Sequence, residues 1–472
     1  MKSKTEFGIL ALLLSITVIL FGCSQEQESS MELKQYYNSV VKELSSVKYN
    51  GRSQFGDGDI MAAAYIIDNL IKCGAEPVDV QNKEYVAAYP EKKSKVMPCD
   101  GGRWIGREEH FLPYLQHFSY PMNVMRGNIS LSIDGSALEP TVDYIVKEFS
   151  PSCSGKFRIE TLDEKYYNPE AFIAYANSGR FEKSFILIDW NLFREKMPAD
   201  SVEIYLKYFS QLERVGGFIL KQQEQFPYFK ARSYYTTPMP VIMVNGSFPD
   251  MAKELEIVVE SEMIEKHDAH NIFATIKGKG ESGRRILFMA HYDHLGFMGC
   301  DNMFAGANDN ASGVAMLLSL AEFYANNTPD YTVDFLFLDG EEANLLGAFY
   351  YTENPAVPLE SIDYAVNIDM VGDTGDTLKC EISEEGRKGL ELFRNLNSKS
   401  VAPFHAVECN PLTDNSDHYA FALKGVPVIY FTVEGDYYDH YHTPRDIFEN
   451  TSDMNFERIF NLLVSFAGVY GH

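Results

Sequence analysis

Ile286-Leu287-Phe288-Met289-Ala290-His291-Tyr292-Asp293-His294-Leu295-Gly296 reads as an apolar strand that ends in imidazole and carboxylate side chains. The run Ile286–Ala290 has no polar alternation, the pattern of a strand covered on both faces. Similar runs recur at Ile272–Ile276, Val333–Leu338, Tyr364–Ile368 and Val426–Thr432. Between two of them lies a helix candidate, Gly313 to Tyr324, with Val314, Leu317, Leu318 and Ala321 on one face. Strands separated by helices predict an α/β sheet covered on both sides. Upstream, Ile60, Ala64, Ile67 and Ile71 recur at helical spacing before Gly74, which predicts an amphipathic helix packed on the sheet.

In open α/β sheets ligands bind outside the carboxyl ends of the strands. Here the first of these ends is followed by His291-Tyr292-Asp293-His294, and others by Asp339-Gly340-Glu341-Glu342, by Asp369, and by a polar loop with His440 and His442. Asp309 stands just before the Gly313 helix. One such residue alone reads as a solvated loop charge; four strand ends that all deliver imidazole or carboxylate read as a site. His291 and Asp293 are two apart and point the same way if the strand continues. A carboxylate there can take the second N–H of a metal-binding histidine.

The segments His291-Tyr292-Asp293-His294-Leu295-Gly296, Gly306-Ala307-Asn308-Asp309-Asn310-Ala311-Ser312-Gly313, Gly340-Glu341-Glu342, Asn367-Ile368-Asp369-Met370 and Tyr441-His442-Thr443-Pro444 occur in that order. Together they resemble the motifs of the co-catalytic dizinc aminopeptidases (peptidase family M28), which include bacterial leucyl aminopeptidases and glutamate carboxypeptidase. The resemblance is close over roughly 270–472 and extends to Gly51–Gly74. It implies an α/β fold with a mixed, mostly parallel sheet flanked by helices (zinc exopeptidase, phosphorylase/hydrolase-like) and two Zn²⁺ per chain. His291 and Asp369 would bind one zinc, Glu342 and His442 the other, and Asp309 would bridge them together with a water or hydroxide. Glu341 would be the general base and Asp293 would orient His291. Asn308 departs from the family, which usually has an acid before the bridging Asp, and Asp339 replaces a common small residue and is expected at the rim of the site. The charges are compatible: Asp309, Asp369, Glu342 and one hydroxide neutralise two Zn²⁺, which makes partial burial tolerable.

Ser416-Asp417-His418-Tyr419 also resembles a family segment near the substrate; Asp417 and His418 are candidates for contacts behind the metal ligands or to substrate. His294 and His440 read as surface or supporting histidines. No Gly-x-Ser-x-Gly supports a serine nucleophile. The leading function is a zinc-dependent aminopeptidase that hydrolyses N-terminal residues of peptides. A glutaminyl cyclase-like aminoacyltransferase, a carboxypeptidase or dipeptidase of the same fold, and a non-catalytic binding protein are the competing readings. The last needs lost ligands, and here every ligand position is filled. Peptide substrates are the expected partners.

From about 125 to 260 the pattern changes. Short strand candidates Asn128–Ile133, Phe185–Ile188, Gly217–Leu220 and Val241–Val244, with a helix candidate Val202 to Val215, predict an inserted β-rich domain similar to a protease-associated domain. The expected division is 1–22 as signal peptide, 23–124 and 261–472 as the zinc peptidase domain, and 125–260 as the insert. The charge of 41 − 67 = −26 argues against a nucleic-acid partner, since phosphate binding needs a basic surface. Lys2 and Lys4 precede an apolar run, Phe7 to Phe21, and Leu20-Phe21-Gly22-Cys23 resembles a bacterial lipobox. That implies a lipoprotein anchored to the membrane through Cys23, in the bacterial cell envelope and at the outer membrane. The remaining cysteines, Cys73, Cys99, Cys153, Cys300, Cys380 and Cys409, contain no Cys-x-x-Cys and read as free thiols or one or two bridges.

Overall fold

The computed structural model describes residues 31–53, 55–78, 111–125, 127–176, 178, 183–196, 215–222, 235–281 and 283–471. A helix over 31–44 and a second at Gly58–Cys73 precede β1 (Glu76–Pro77) and β2 (Leu115–Val124). Then come β3 (Ile129–Ile133), β4 (Ser136–Leu138), β5 (Tyr144–Val146), β6 (Cys153–Thr161), β7 (Ser184–Asp189), β8 (Gly217–Lys221), β9 (Val241–Val244) and β10 (Glu254–Val259). The rest of the chain carries β11 (Glu262–Ile276), β12 (Arg285–His291), β13 (Gly296–Met298), β14 (Asn302–Phe304), β15 (Thr332–Leu338), β16 (Ile362–Ile368), β17 (Thr377–Ile382), β18 (Ala406–Cys409) and β19 (Val428–Val433).

The larger sheet has the order β1-β11-β15-β12-β16-β19-β17-β18, with β2 also paired to β11. Parallel pairing holds through β15-β12-β16-β19 and between β17 and β18. The pairs of β11 with β1, β2 and β15, and of β17 with β19, are antiparallel. The sheet is therefore mixed, and its parallel block is the stretch that carries the strand-end motifs. Successive residues of β12 bury on opposite sides. Ile286, Phe288 and Ala290 join the core under the helices Gly58–Cys73, Gly313–Asn326 and Phe456–Tyr470. Leu287 and Met289 join the core under Leu346–Glu353 and His418–Leu423. An unbroken apolar run follows from that two-sided cover.

The Gly58–Cys73 helix buries a different face from the one the spacing selected. Asp59, Ala62, Ala63, Ile66, Ile67 and Leu70 are buried, whereas Ile71 is 40% exposed. The buried stripe still has helical period, but it is turned so that Asp59 points inward. Gly74 ends the helix at φ 84, donating its N–H to Ile71 O, as a C-terminal glycine does. The Gly313–Asn326 helix starts at a glycine for a packing reason: a Cβ on Gly313 would lie 2.4 Å from Ile368 O of β16.

Residues 129–259 form a second sheet, β4-β3-β10-β6-β7-β8-β9-β5. Its middle, β6-β7-β8-β9, is parallel, and the short helices Pro169–Ala176 and Trp190–Lys196 lie between these strands. It is a small α/β layer and not purely β. The helix expected over Val202–Val215 falls outside the described residues apart from Val215. Leu295, Met298 and Phe304, from the β13–β14 hairpin that follows the His291 motif, are buried in this second sheet's core. Burying each is worth about 1.5–3 kcal/mol, so the hairpin beside the site leans on the second sheet.

Candidate metal centre

Because β15, β12, β16 and β19 are parallel, their carboxyl ends lie along one edge. His291 closes β12, Asp369 follows β16, the Asp339-Gly340-Glu341-Glu342 turn follows β15, and the loop after β19 brings in His442. The side chains converge as two groups that share one residue. His291, Asp309 and Asp369 form one, with His291 Nε2 3.3 Å from Asp309 Oδ1 and 3.3 Å from Asp369 Oδ1. Glu342, His442 and Asp309 belong to the other, with His442 Nε2 3.0 Å from Asp309 Oδ2 and 3.3 Å from Glu342 Oε1. Each oxygen of Asp309 thus faces a different group. Donors at 2.0–2.2 Å from a tetrahedral ion stand roughly 3.3–3.6 Å apart, so the spacing and the imidazole–carboxylate chemistry both fit a metal pair.

All five residues are buried. Burial pushes the Asp309 carboxyl up, but His294, His291 and His442 outweigh it and hold it well below its ordinary range. Glu342 is likewise lowered against its burial, chiefly by His442. Burial lowers His442, yet Glu342 and Asp309 raise it to about 10. Glu341 goes the other way: burial of its carboxyl, with Glu342, Asp417 and Asp369 nearby, raises it well above a normal glutamate despite His291. Two adjacent glutamates are thereby shifted in opposite directions.

The supporting contacts explain how the loops are held. Asp293 lies beside His291: its carbonyl is 3.2 Å and its carboxylate Oδ1 3.7 Å from His291 Nδ1, and its side chain is among the groups that raise the imidazole. The Asp293 carboxylate accepts the backbone N–H groups of Glu341 and Glu342 at 3.2 and 3.3 Å, so it anchors the Gly-Glu-Glu turn. Ser416 Oγ donates to Asp369 Oδ2 at 2.8 Å. Asn308 accepts from Gly372 N at 2.8 Å, while its own N–H and that of Asp309 donate to Asp446, whose burial raises its carboxyl to about 6. Asn308 therefore serves the loop without being among the metal donors.

Asp339 is not on the rim. It is fully buried, and its Oδ2 accepts the His270 N–H at 3.2 Å. Asp339 also comes near the Asp59–His267 ion pair, 3.1 Å long, on the far side of the β15 turn. Asp417 is buried among the charges of His291, Asp293 and Asp369, and its carboxyl is raised to about 8, mainly by burial. His418 is turned away, 3.3 Å from Glu381 Oε2 and stacked on Tyr430. His440 stays in the surface loop, outside both donor groups.

Three contributors were not legible in the sequence. His294, read as a surface or supporting residue, is fully buried against Glu342. Asp446 carries no motif of its own. Arg52 is fully buried at φ 48 and donates to the carbonyls of Tyr292, Leu44, Ala305, Gly306 and Asp309 at 2.7–3.1 Å. Burial lowers its guanidinium to about 10, opposed by Asp309, Asp446, Asp293 and Glu342. Gly51 before it, at φ 61, is needed because a Cβ would meet Phe304 O at 2.3 Å. Arg52→Met is expected to strand several buried carbonyls, at about 1–3 kcal/mol each. A loss of about 3 kcal/mol lowers Tm by roughly 6–12 °C, measurable by calorimetry, with metal affinity falling in parallel.

The fold and this site define a mixed α/β protein with a carboxylate-bridged pair of donor groups at the edge of its parallel strands. Residues 271–467 match the model of peptidase family M28, and the chain carries a domain of that family over these residues. It is 26% identical over 207 residues to a vacuolar membrane protease of Candida glabrata, covering 43% of this chain and 20% of that one. It is also 26% identical to aminopeptidase YwaD of Bacillus subtilis, covering 47% and 48% of the two chains. The chain thus spans between a fifth and a half of the length of these curated relatives. An aminopeptidase from Aneurinibacillus sp. strain AM-1 has the same fold at TM-score 0.62, with 16% identity and 93% of each chain covered. The zinc aminopeptidase BSAP from Bacillus subtilis follows at TM-score 0.61, with 17% identity and coverage of 93% and 94%.

These relatives correct the expected location. The yeast vacuolar membrane proteases among them are eukaryotic, which does not uphold a bacterial outer-membrane lipoprotein. The lipobox-like segment lies outside the described residues, and among the described residues no helix is long and apolar enough to cross a membrane. Of the cysteines, Cys300 is disulfide-bonded and Cys73, Cys153, Cys380 and Cys409 are free.

Proposed function

We propose that this chain is a zinc-dependent aminopeptidase that holds two zinc ions and removes N-terminal residues from peptides. The observation that carries the proposal is the sharing of Asp309 between two donor groups, one with His291 and Asp369, the other with Glu342 and His442. A bound pair of zinc ions supplies a Lewis acid for the scissile carbonyl and acidifies water. Glu341, adjacent in the chain to Glu342 and outside both donor groups, accepts the proton of the attacking water and returns it to the leaving amine. Asp293 holds Glu341 and Glu342 in place through their backbone N–H groups. The aminopeptidase relatives, in sequence and in fold, support the same reading.

Action at a free N-terminus rather than a free C-terminus is the reading favoured by the likeness to aminopeptidase YwaD. The second sheet, packed on the hairpin beside the site, acts as a wall that favours short or unfolded peptides. The test is a panel of peptides with free, N-acetylated and C-amidated ends, in short, long and folded forms, assayed with chelator and after zinc is restored. Zinc-dependent release of N-terminal residues from free and C-amidated peptides is expected. Cleavage of N-acetylated peptides alone would make it a carboxypeptidase, and cyclisation of N-terminal glutamine without hydrolysis would make it a cyclase.

A further inference from the structure

We propose that His294 is a fourth protein ligand on the Glu342–His442 side, so that the two metal positions have unequal ligand sets. The inference rests on the dizinc reading above. One position has His291, Asp309 and Asp369; the other has His294, Asp309, Glu342 and His442, whose donor atoms all lie within 4.8 Å of one another.

The argument is which atoms meet. His294 Nδ1 lies 2.9 Å from Glu342 Oε1 and 3.8 Å from Asp309 Oδ2. His442 Nε2 approaches these same two oxygens, at 3.3 and 3.0 Å. A histidine that merely oriented Glu342 would take the carboxylate oxygen turned away from the ligand cluster. Here two imidazole nitrogens and two carboxylate oxygens face a common point, the mixed nitrogen–oxygen set that zinc takes in proteins.

The chain is built to put the ring there. His294 is fully buried, and its backbone N–H donates to the Arg52 carbonyl at 3.2 Å. Its ring lies against Gly306, at φ 62, where a Cβ would come within 2.4 Å of His294 Cδ2. That glycine opens the loop that carries Asp309, so loop and ring are fitted to each other. The rings of His294 and His442 stand 5.8 Å apart at 64°, the separation expected when their nitrogens converge and their faces do not stack. The unequal donor sets make the His294 side the more tightly held position and leave more open coordination beside His291 and Asp369.

The test compares the wild-type chain with His294→Ala and His294→Asn, each checked for folding by circular dichroism. Metal content is measured by elemental analysis, zinc affinity by competition with a chromophoric chelator, and coordination by the visible spectrum of the Co²⁺-substituted protein. Loss of an outer hydrogen-bonding partner costs about 10–100-fold in metal affinity. Loss of a ligand is expected to exceed about 100-fold at one position, leave the other unchanged, and intensify the spectrum of a single Co²⁺ as its coordination number falls. Two folded variants that bind both ions with an unaltered cobalt spectrum would overturn the assignment and leave His294 as a partner of Glu342 alone. A wild-type chain that takes up no more than one ion would instead sink the dizinc reading, and the His294 assignment with it.

Discussion

Glu341→Gln is expected to lower kcat by about 10²–10⁴-fold, the range that a positioned general base contributes, with two metal ions still bound. The amide has nearly the carboxylate's shape but cannot accept a proton. Its backbone N–H still reaches Asp293, so the turn that presents Glu342 is retained. Glu341 is outside both donor groups, which is why metal content should not change. The check is kcat beside elemental analysis on the same preparation. Near wild-type turnover would remove Glu341 from the mechanism, and loss of metal would make it a ligand.

Asp309→Asn is expected to abolish turnover for a different reason. Among the described residues Asp309 alone belongs to both donor groups, and its two oxygens face different histidines, His291 at 3.3 Å and His442 at 3.0 Å. An asparagine keeps one carbonyl oxygen and turns an N–H₂ donor toward the other position, where no cation can use it. It also removes a negative charge from a buried cluster that must balance metal charge. Metal content should fall below one ion per chain. Asp369→Asn, which touches one group only, should lose a single ion. Equal losses in the two variants would mean that Asp309 is not the bridge.

The residues that carry the chemistry were legible because strand ends are local features. An apolar run followed by His291, by Glu341-Glu342 or by Asp369 marks both the strand and the edge where it stops. Asp309 was legible from its position before a helix. What each supporting residue does was not. Asp293 sits beside His291 at the expected spacing, and its carboxylate also holds the β15 turn by accepting two N–H groups. Asp339 adjoins the motif but faces backward to β11, since neighbouring residues at a turn leave in different directions.

By itself the sequence determined an α/β sheet and the edge at which a site must lie, and its resemblance to the family's motifs singled out the five residues that the structure brings together there. Period and order suffice for the sheet and its edge, because a strand and its end are properties of a short segment. Only the tertiary structure decided the rest. It turned the Gly58–Cys73 helix so that Asp59 faces inward, and it seated the β13–β14 hairpin in the core of the second sheet. It also brought Arg52 under the loops of Tyr292, Ala305 and Asp309, and aimed His294 at the oxygens that His442 approaches. These depend on contacts between residues far apart in the chain, and on buried polar groups that must find partners once water is excluded. No local pattern in the sequence encodes which partner each will find.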